Sequence, residues 1–568
     1  MERGRLRAEF TSSQGVRQGD GLGSLLFSLS MKTTYSECIQ GLECHAVAVI
    51  DDFYLLGRQD QAFAAFDRFT PSLPNLNLTL SLPKCNVLLT DNPAADLITN
   101  CTTRNLPHST TSISALGSIV SRNPDLISKW LNDQVSTLHQ PYFTMLLDSR
   151  LPTQHAFILL RSCMVPRMNF WSRTTAPSIF APAARTFDDL VVDTFTKRMK
   201  LPALTDVARS QLSLPVGAGG FGLSSLVIVS PAAWYSALAQ AFSSIRPFIT
   251  SLDTLRNNIP FVKSLSQCMT YFSHYTFPRG SPVSASVAQF WMDHEAKRRP
   301  AGAQRLIMAV IYKSRAAGII KKFARNSTDR ARLASVSTPY SGSWLTTTPI
   351  DPIFTLPDVH FALSCRLRLG ITFFDDIRHC ICGASLIQSP LHFMSCTRLN
   401  AVRIIRHDRI VQVIARVART CGVVVHLEPR IDEEDKSRGD GHLYFHTQSA
   451  IYDTYVIDPC ANTYVKTAQQ PLGASATGEA KKISHYGVRC KEQGFLFFPV
   501  VLETFGGIGV RCRDLVGMIE EEGSLNGVKN IHGMPIKAYL LRALSVTLQS
   551  GNAHLAIHGS QRSRKRLR

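Results

Sequence analysis

Hydrophobic and polar positions change their period several times along the chain. Helical and strand periods alternate over residues 12–100, which predicts an α/β layer, and a mainly helical stretch follows from about 125 to 330. Residues 326–357 are rich in Ser, Thr and Pro and carry little periodicity, which predicts a linker. Over residues 398–421, Val402, Ile405, Val413, Ile414 and Val417 recur at helical spacing, and Gly422 supplies a stop. Strands are expected near 423–428, 441–446, 451–458 and 495–502, with a helix around 476–493 between the last two. No internal repeat is present.

Composition narrows the class. With 45% hydrophobic and 18% charged residues over 568 positions, the chain can fill the cores of three or four domains. Its 62 Lys and Arg against 42 Asp and Glu give a net charge of +20, which makes nucleic acid the first partner to test and a merely basic surface the alternative. The 14 cysteines are mostly scattered, as expected of thiols in a reducing compartment. No run of eighteen apolar residues occurs, and Met1-Glu2-Arg3-Gly4-Arg5 does not lead into a signal-peptide segment. A soluble, intracellular protein outside the membrane is therefore expected. Five basic side chains between Arg562 and Arg568 suit a nuclear-import address, a phosphate-binding arm or a solvated tail.

Three segments in series carry candidate nucleotide and metal contacts. Gln14-Gly15-Val16-Arg17-Gln18-Gly19-Asp20 feeds a helical run, and its glycines let backbone approach a nucleotide or template strand. Ala48-Val49-Ile50-Asp51-Asp52-Phe53-Tyr54 sets two adjacent acids between β-prone segments, as in a hairpin whose turn presents carboxylates. Adjacent strand residues face opposite ways, so Asp51 is the expected metal ligand with Asp52 in support. The third segment is Leu80-Ser81-Leu82-Pro83-Lys84-Cys85. In order and separation these segments resemble the glycine-glutamine loop, the double-Asp hairpin and the following lysine segment of reverse transcriptases. The resemblance assigns nucleotide or template contacts to Gly15, Arg17, Gln18 and Gly19, metal binding to Asp51 and Asp52, and assistance to departing pyrophosphate to Lys84. Two magnesium ions would need a second acid-bearing strand upstream. Only Met1 to Ser13 precede the loop, with Glu2 and Glu9 their only acids, so polymerase activity from this chain alone is not expected. Residues 160–167 and 214–223 resemble thumb segments of the same elements, and Ser230 followed by Pro231 predicts a helix start.

Cys380, Cys382, His392 and Cys396 form C-x-C-x9-H-x3-C, a donor set able to wrap one tetrahedral zinc, with unmetallated buried thiols as the alternative. Arg366, Arg368, Arg378 and Arg398 beside it are expected to help hold nucleic acid. The spacing is similar to the knuckle before the endonuclease of restriction-like non-LTR retrotransposons. Beyond it, Arg438-Gly439-Asp440 and Asp453 could share one magnesium ion if two strands bring them together. This resembles the family's Arg/Lys-Pro-Asp followed by a second acid, with Gly439 in place of proline. Tyr455 stands where a strand lysine would, and the helix segment around Glu479-Ala480-Lys481-Lys482 offers Lys482, on one face with Tyr486, ahead of Lys481. Glu428 is a further candidate acid. Ordinary turn and strand-end acids are the competing reading of Asp440, Asp453 and Asp458.

The resemblance as a whole implies an α/β and α multi-domain protein. It comprises a partial right-hand polymerase palm (1–100), a helical thumb and connector (101–325), a linker (326–357), a zinc knuckle (358–397), a restriction-endonuclease-like α/β domain (398–550) and a basic tail (551–568). The implied activity is target-primed reverse transcription, in which DNA is nicked and RNA copied, with Mg2+ and Zn2+ as metals, RNA template and target DNA as partners, and the nucleus as location. The alternative is a non-catalytic nucleic-acid-binding relic.

Overall fold

The computed structural model describes residues 19–245, 259–295, 302–323, 326–431 and 437–567. The chain divides into two compact units, with the main boundary between Trp130 and Leu131.

In the first unit, Asp20 Oδ1 accepts the Leu22 N–H at 2.8 Å and leads into helix α1 (Gly23–Glu37). Strands β1 (Cys44–Val49) and β2 (Asp52–Gly57) pair antiparallel, with Val49 opposite Asp52, so Ile50 and Asp51 form the turn. Ile50 takes φ 58°, and its carbonyl accepts from Tyr35 Oη at 3.1 Å. Tyr35 stacks on Phe53 at 4.5 Å, and Phe53 lies 4.7 Å from Phe69 of helix α2 (Gln59–Phe69), so one aromatic group ties both helices to the hairpin. Residues 101–121 belong to this unit too: Arg104 grips Asp67 through two hydrogen bonds of 2.8 and 2.7 Å, and Cys101 and Leu106 pack with Phe63 and Leu89.

The second unit begins with the mainly helical stretch. It includes α3 (Pro177–Arg198), α4 (Leu226–Ile245) and α5 (Ala303–Lys322). Helix α4 starts before Ser230. Asp188 of α3 accepts from Ser225 Oγ, Leu226 N and Val227 N, satisfying donors that the first turn leaves unpaired. Ser230 is buried inside the helix and Pro231 follows it there, so neither marks the helix start.

Residues 326–357 are folded into the core, contrary to the linker expected from composition. Helix α6 (Ser327–Val336) is capped by Asn326, whose side chain accepts from Asp329 N at 3.0 Å. Trp344, Leu345 and Phe354 are fully buried, and Asp351 accepts from Ile353 N and Tyr539 Oη at 2.9 Å each. The polar residues that suggested a linker cap short turns, which are too brief to display a period.

Helices α7 (Asp358–Leu369) and α8 (Asn400–Thr420) then lead into strands β3 (Val424–Leu427), β4 (Gly441–Tyr444) and β5 (Ser449–Ile457). Helix α9 (Gly473–Lys482) and two further helical turns carry the chain to β6 (Leu496–Glu503). The sheet order is β6-β5-β4-β3; β3, β4 and β5 form an antiparallel meander, and β6 runs parallel to β5, as a helical crossover permits. One face sets Leu443, Tyr452, Val500 and Leu502 against α8, α10 (Val510–Leu525) and α11 (Ile536–Leu567). Ile451, Asp453, Tyr455 and Ile457 alternate to the other face. Residues 551–567 are not a solvated tail: they continue α11, with Ala553, Leu555 and Ala556 buried and Arg564 paired with Asp376 at 2.9 Å. Among the described residues, no helix is long and apolar enough to cross a membrane.

Candidate active site and metal centre

Asp453 lies in β5, buried on its α9-facing side. Gly441 pairs with Tyr452, and continuing that register by one pair sets Asp440 opposite Asp453; the Asp440 N–H donates to Tyr452 O at 2.9 Å. Glycine at 439 is needed for this approach, since a Cβ there would stand 2.6 Å from Ile451 Cγ2. Lys482, in the last turn of α9, brings Nζ to 2.6 Å from Asp453 Oδ2. The same ammonium lies 5.4 Å from the Tyr455 ring and 5.5 Å from that of Tyr486. Lys481 is exposed instead.

A histidine completes the group. His407 of α8 places Nε2 3.0 Å from Asp440 Oδ2 and Nδ1 3.0 Å from Asp408 Oδ1. The bond to Asp440 raises the imidazole to about 9 against the opposing effect of burial. Burial raises the Asp453 carboxyl, while Lys482 draws it back down and the charge of Asp440 adds to the rise. The result is a pair of acids, one of them desolvated, with an ammonium and an imidazole on their flanks.

The other candidate acids stand apart in role. The Glu428 side chain is exposed and meets Arg438 at 3.3 Å. Asp458 accepts from Cys460 N at 3.0 Å, forming a turn near Arg406. Glu479, one turn before Lys482, accepts from Arg511 N and so tethers the start of α10 to α9.

Cys380, Cys382, His392 and Cys396 converge as the sequence spacing requires, with their donor atoms all within 4.8 Å of one another. Cys380 Sγ and Cys396 Sγ are 3.5 Å apart, close to the ~3.8 Å that two thiolates at 2.3 Å from a tetrahedral zinc would show. Cys382 Sγ lies 3.0 Å from His392 Nε2. Gly383, at φ 94°, turns the chain after the first two cysteines, and Phe393 and Leu399 anchor the second pair in the core. This donor set fits zinc.

No protein-family profile matches the chain. Over 172 residues it is 28% identical to the Retrotransposable element SLACS 132 kDa protein of Trypanosoma brucei gambiense. The match covers 29% of this chain and 14% of that protein. This likeness supports a retroelement origin.

The expected polymerase residues divide. Gly15, Arg17 and Gln18 lie outside the described residues; Gly19 takes φ 87° just before α1. Asp51 and Asp52 are exposed at the hairpin tip. Both Tyr35 and Tyr54 are raised first by burial, then by the charge of Asp51 and of Asp52 respectively. Lys84 ends a short 3-10 turn and is exposed.

Two arginines expected near nucleic acid are instead buried. Arg368 donates to the carbonyls of Val216, Gly220 and Val336, holding the 214–223 glycine loop. Arg366 donates to Thr372 O and Lys200 O and pairs with Asp375 at 3.1 Å. Their guanidiniums bond buried carbonyls of loops and helix ends. Arg378 and Arg398 remain exposed.

Proposed function

We propose that this is a retroelement-derived protein whose C-terminal part is a magnesium-dependent, restriction-like DNA endonuclease, carried with a zinc-binding knuckle. The observation that carries the reading is the opposition of Asp440 and Asp453 across β4 and β5 with the Lys482 ammonium on Asp453. The order helix, three-stranded meander, helix, parallel strand supports it, since that arrangement brings two strand acids and one helix lysine together.

In this reading Asp440 and Asp453 hold Mg2+. When bound, the ion supplies positive charge to the scissile phosphate and acidity to the attacking water. Lys482 orients the water and stabilises the charge developing on the phosphorus oxygens. His407 positions Asp440 by its hydrogen bond, and Tyr455 and Tyr486 border the lysine. The Cys380, Cys382, His392 and Cys396 set holds zinc structurally and ties the loop ahead of α8 to the core. Target DNA is the substrate, which places the work in the nucleus.

The first unit is proposed as a reverse-transcriptase palm remnant with RNA template as partner. Asp51, Asp52, Lys84 and the Gly15 to Gly19 loop are its candidate contacts. Among the described residues β1 and β2 form a two-stranded sheet whose turn carries Asp51, with Asp52 at the first position of β2. The net charge of +20 favours nucleic-acid binding as the second function.

The test is nicking of supercoiled plasmid by purified full chain. Nicking with Mg2+ and none with Ca2+ or without divalent metal is expected. Equal nicking under all conditions would defeat the nuclease assignment.

A further inference from the structure

The second unit also holds an open cleft of about 390 Å³ that neither acid pair nor zinc cluster uses. Arg161 lines it, projected from the π-helical turn Leu160–Met164, where a widened turn re-aims a side chain. Arg161 Nε is buried with no hydrogen-bond partner, and no ion pair reaches this arginine among the described residues. Gly222, at φ 71°, lies against it; a Cβ there would meet Arg161 Nε at 2.7 Å. Glycine is thus what lets the guanidinium sit at the wall.

Apart from Asp188, the groups lining the cleft and the nearby Arg315 are neutral or cationic. Gln304 accepts from Arg173 Nη1 at 2.7 Å through its Oε1, which leaves its amide hydrogens as donors. Tyr312 Oη donates to Ser224 Oγ at 3.2 Å on the same lining. Arg315 is close enough to Tyr312 to act on its hydroxyl. The neighbouring acid, Asp188, is occupied at the start of α4 by Ser225 Oγ at 2.6 Å and Leu226 N at 2.8 Å. Val229 and Met308 supply an apolar wall. A half-buried guanidinium whose Nε lacks a hydrogen-bond partner is under-satisfied, and a phosphate oxygen offers both the charge and the acceptor that a guanidinium fork takes up. The volume lies within the roughly 300–1,000 Å³ of sites that enclose one small organic group.

We propose that this cleft binds one phosphate-bearing unit of a nucleic-acid strand, with Arg161 on the phosphate, Gln304 and Ser224 as neutral donors, and sugar or base against Val229 and Met308. The assignment rests on the nucleic-acid reading of the chain and not on its nuclease. The cleft would hold a strand backbone and so act in every sequence alike.

The experiment uses the full chain without added magnesium, so failure of the nuclease reading leaves it intact. Anisotropy of a fluorescein-labelled single-stranded RNA is followed across a salt series for wild type and Arg161→Gln, with thermal unfolding of both. Binding weakened about tenfold, with the slope of log affinity against log salt reduced by about 0.7, is expected for loss of one phosphate contact. The Tm of Arg161→Gln should equal or exceed that of wild type, because the arginine has no partner to lose. Unchanged affinity and slope would overturn the proposal, as would a marked fall in Tm, which would make Arg161 structural. Inorganic phosphate is the second arm. If it raises the Tm of wild type alone while both proteins bind RNA equally, the cleft is a small-anion site and the strand assignment fails. A Gln304→Leu variant should weaken RNA binding less than Arg161→Gln, and equal binding to wild type by both variants rejects the site.

Discussion

Lys482 Nζ lies 2.6 Å from Asp453 Oδ2, although the lysine ends helix α9 and the acid lies in strand β5. The position two residues after Asp453 belongs to Tyr455, whose ring sits beside the ammonium. The cation therefore reaches the acid from the helix, and Tyr455 fills the space that a strand lysine would need. Removing one partner of such a pair leaves the other uncompensated. Lys482→Met is expected to destabilise the protein by up to about 3 kcal/mol in denaturant unfolding, and adding Asp453→Asn should recover part of that loss. Additive losses in the double variant would contradict the coupling.

His407 bears on the same site from α8. Its Nε2 bond fixes Asp440, so His407→Ala should leave the fold intact and lower the nicking rate about 10- to 100-fold, the usual cost of losing a residue that orients a metal ligand. His407→Gln retains a donor and should recover part of the rate. Nicking unchanged in His407→Ala would remove its positioning role.

The four-residue cluster should hold close to one zinc per chain, measured by metal analysis of protein prepared without chelators. Cys382→Ala or His392→Ala should abolish it. Zinc removal should lower stability by roughly 4 kcal/mol relative to protein with free zinc at about a thousand times Kd. Absence of zinc from the wild type would contradict the assignment.

Asp188 carries a pH signature. Burial raises its carboxyl from the ordinary 3.8 to about 6, against the pull of the Ser225, Leu226 and Val227 donors. Between those values the folded form binds a proton that the unfolded chain has lost, so this group's contribution falls as pH rises from about 4 to 6 and is level above. Asp188→Asn keeps an acceptor for the helix start. The stability of this variant minus that of wild type should therefore climb across that window by at most about 3 kcal/mol and then flatten. A difference independent of pH would refute the assignment.

Much of the C-terminal sheet and its helices was legible because their periods are long and clean. Val402 to Val417 mark α8, and the apolar runs around Leu443, Ile451 and Val500 mark strands. The cysteine spacing pointed to one cluster because local chain geometry nearly determines it. His407 was invisible because its significance arises only when α8 crosses the sheet end, 33 residues before Asp440 in sequence. Arg366 and Arg368 misled for the opposite reason: charge suggests solvent, whereas here it satisfies buried carbonyls. The 326–357 segment misled because short capped turns share a composition with linkers, and only tertiary contacts such as Asp351 with Tyr539 distinguish them.

The most direct test of the account is single-turnover nicking of supercoiled DNA with Mg2+ by wild type, Asp440→Ala, Asp453→Ala and Lys482→Ala, with DNA binding measured alongside. Wild type should nick, each variant should lose at least about a hundredfold in rate, and DNA binding should persist in all four. Equal nicking by all four proteins would assign the activity to a contaminant and contradict the account.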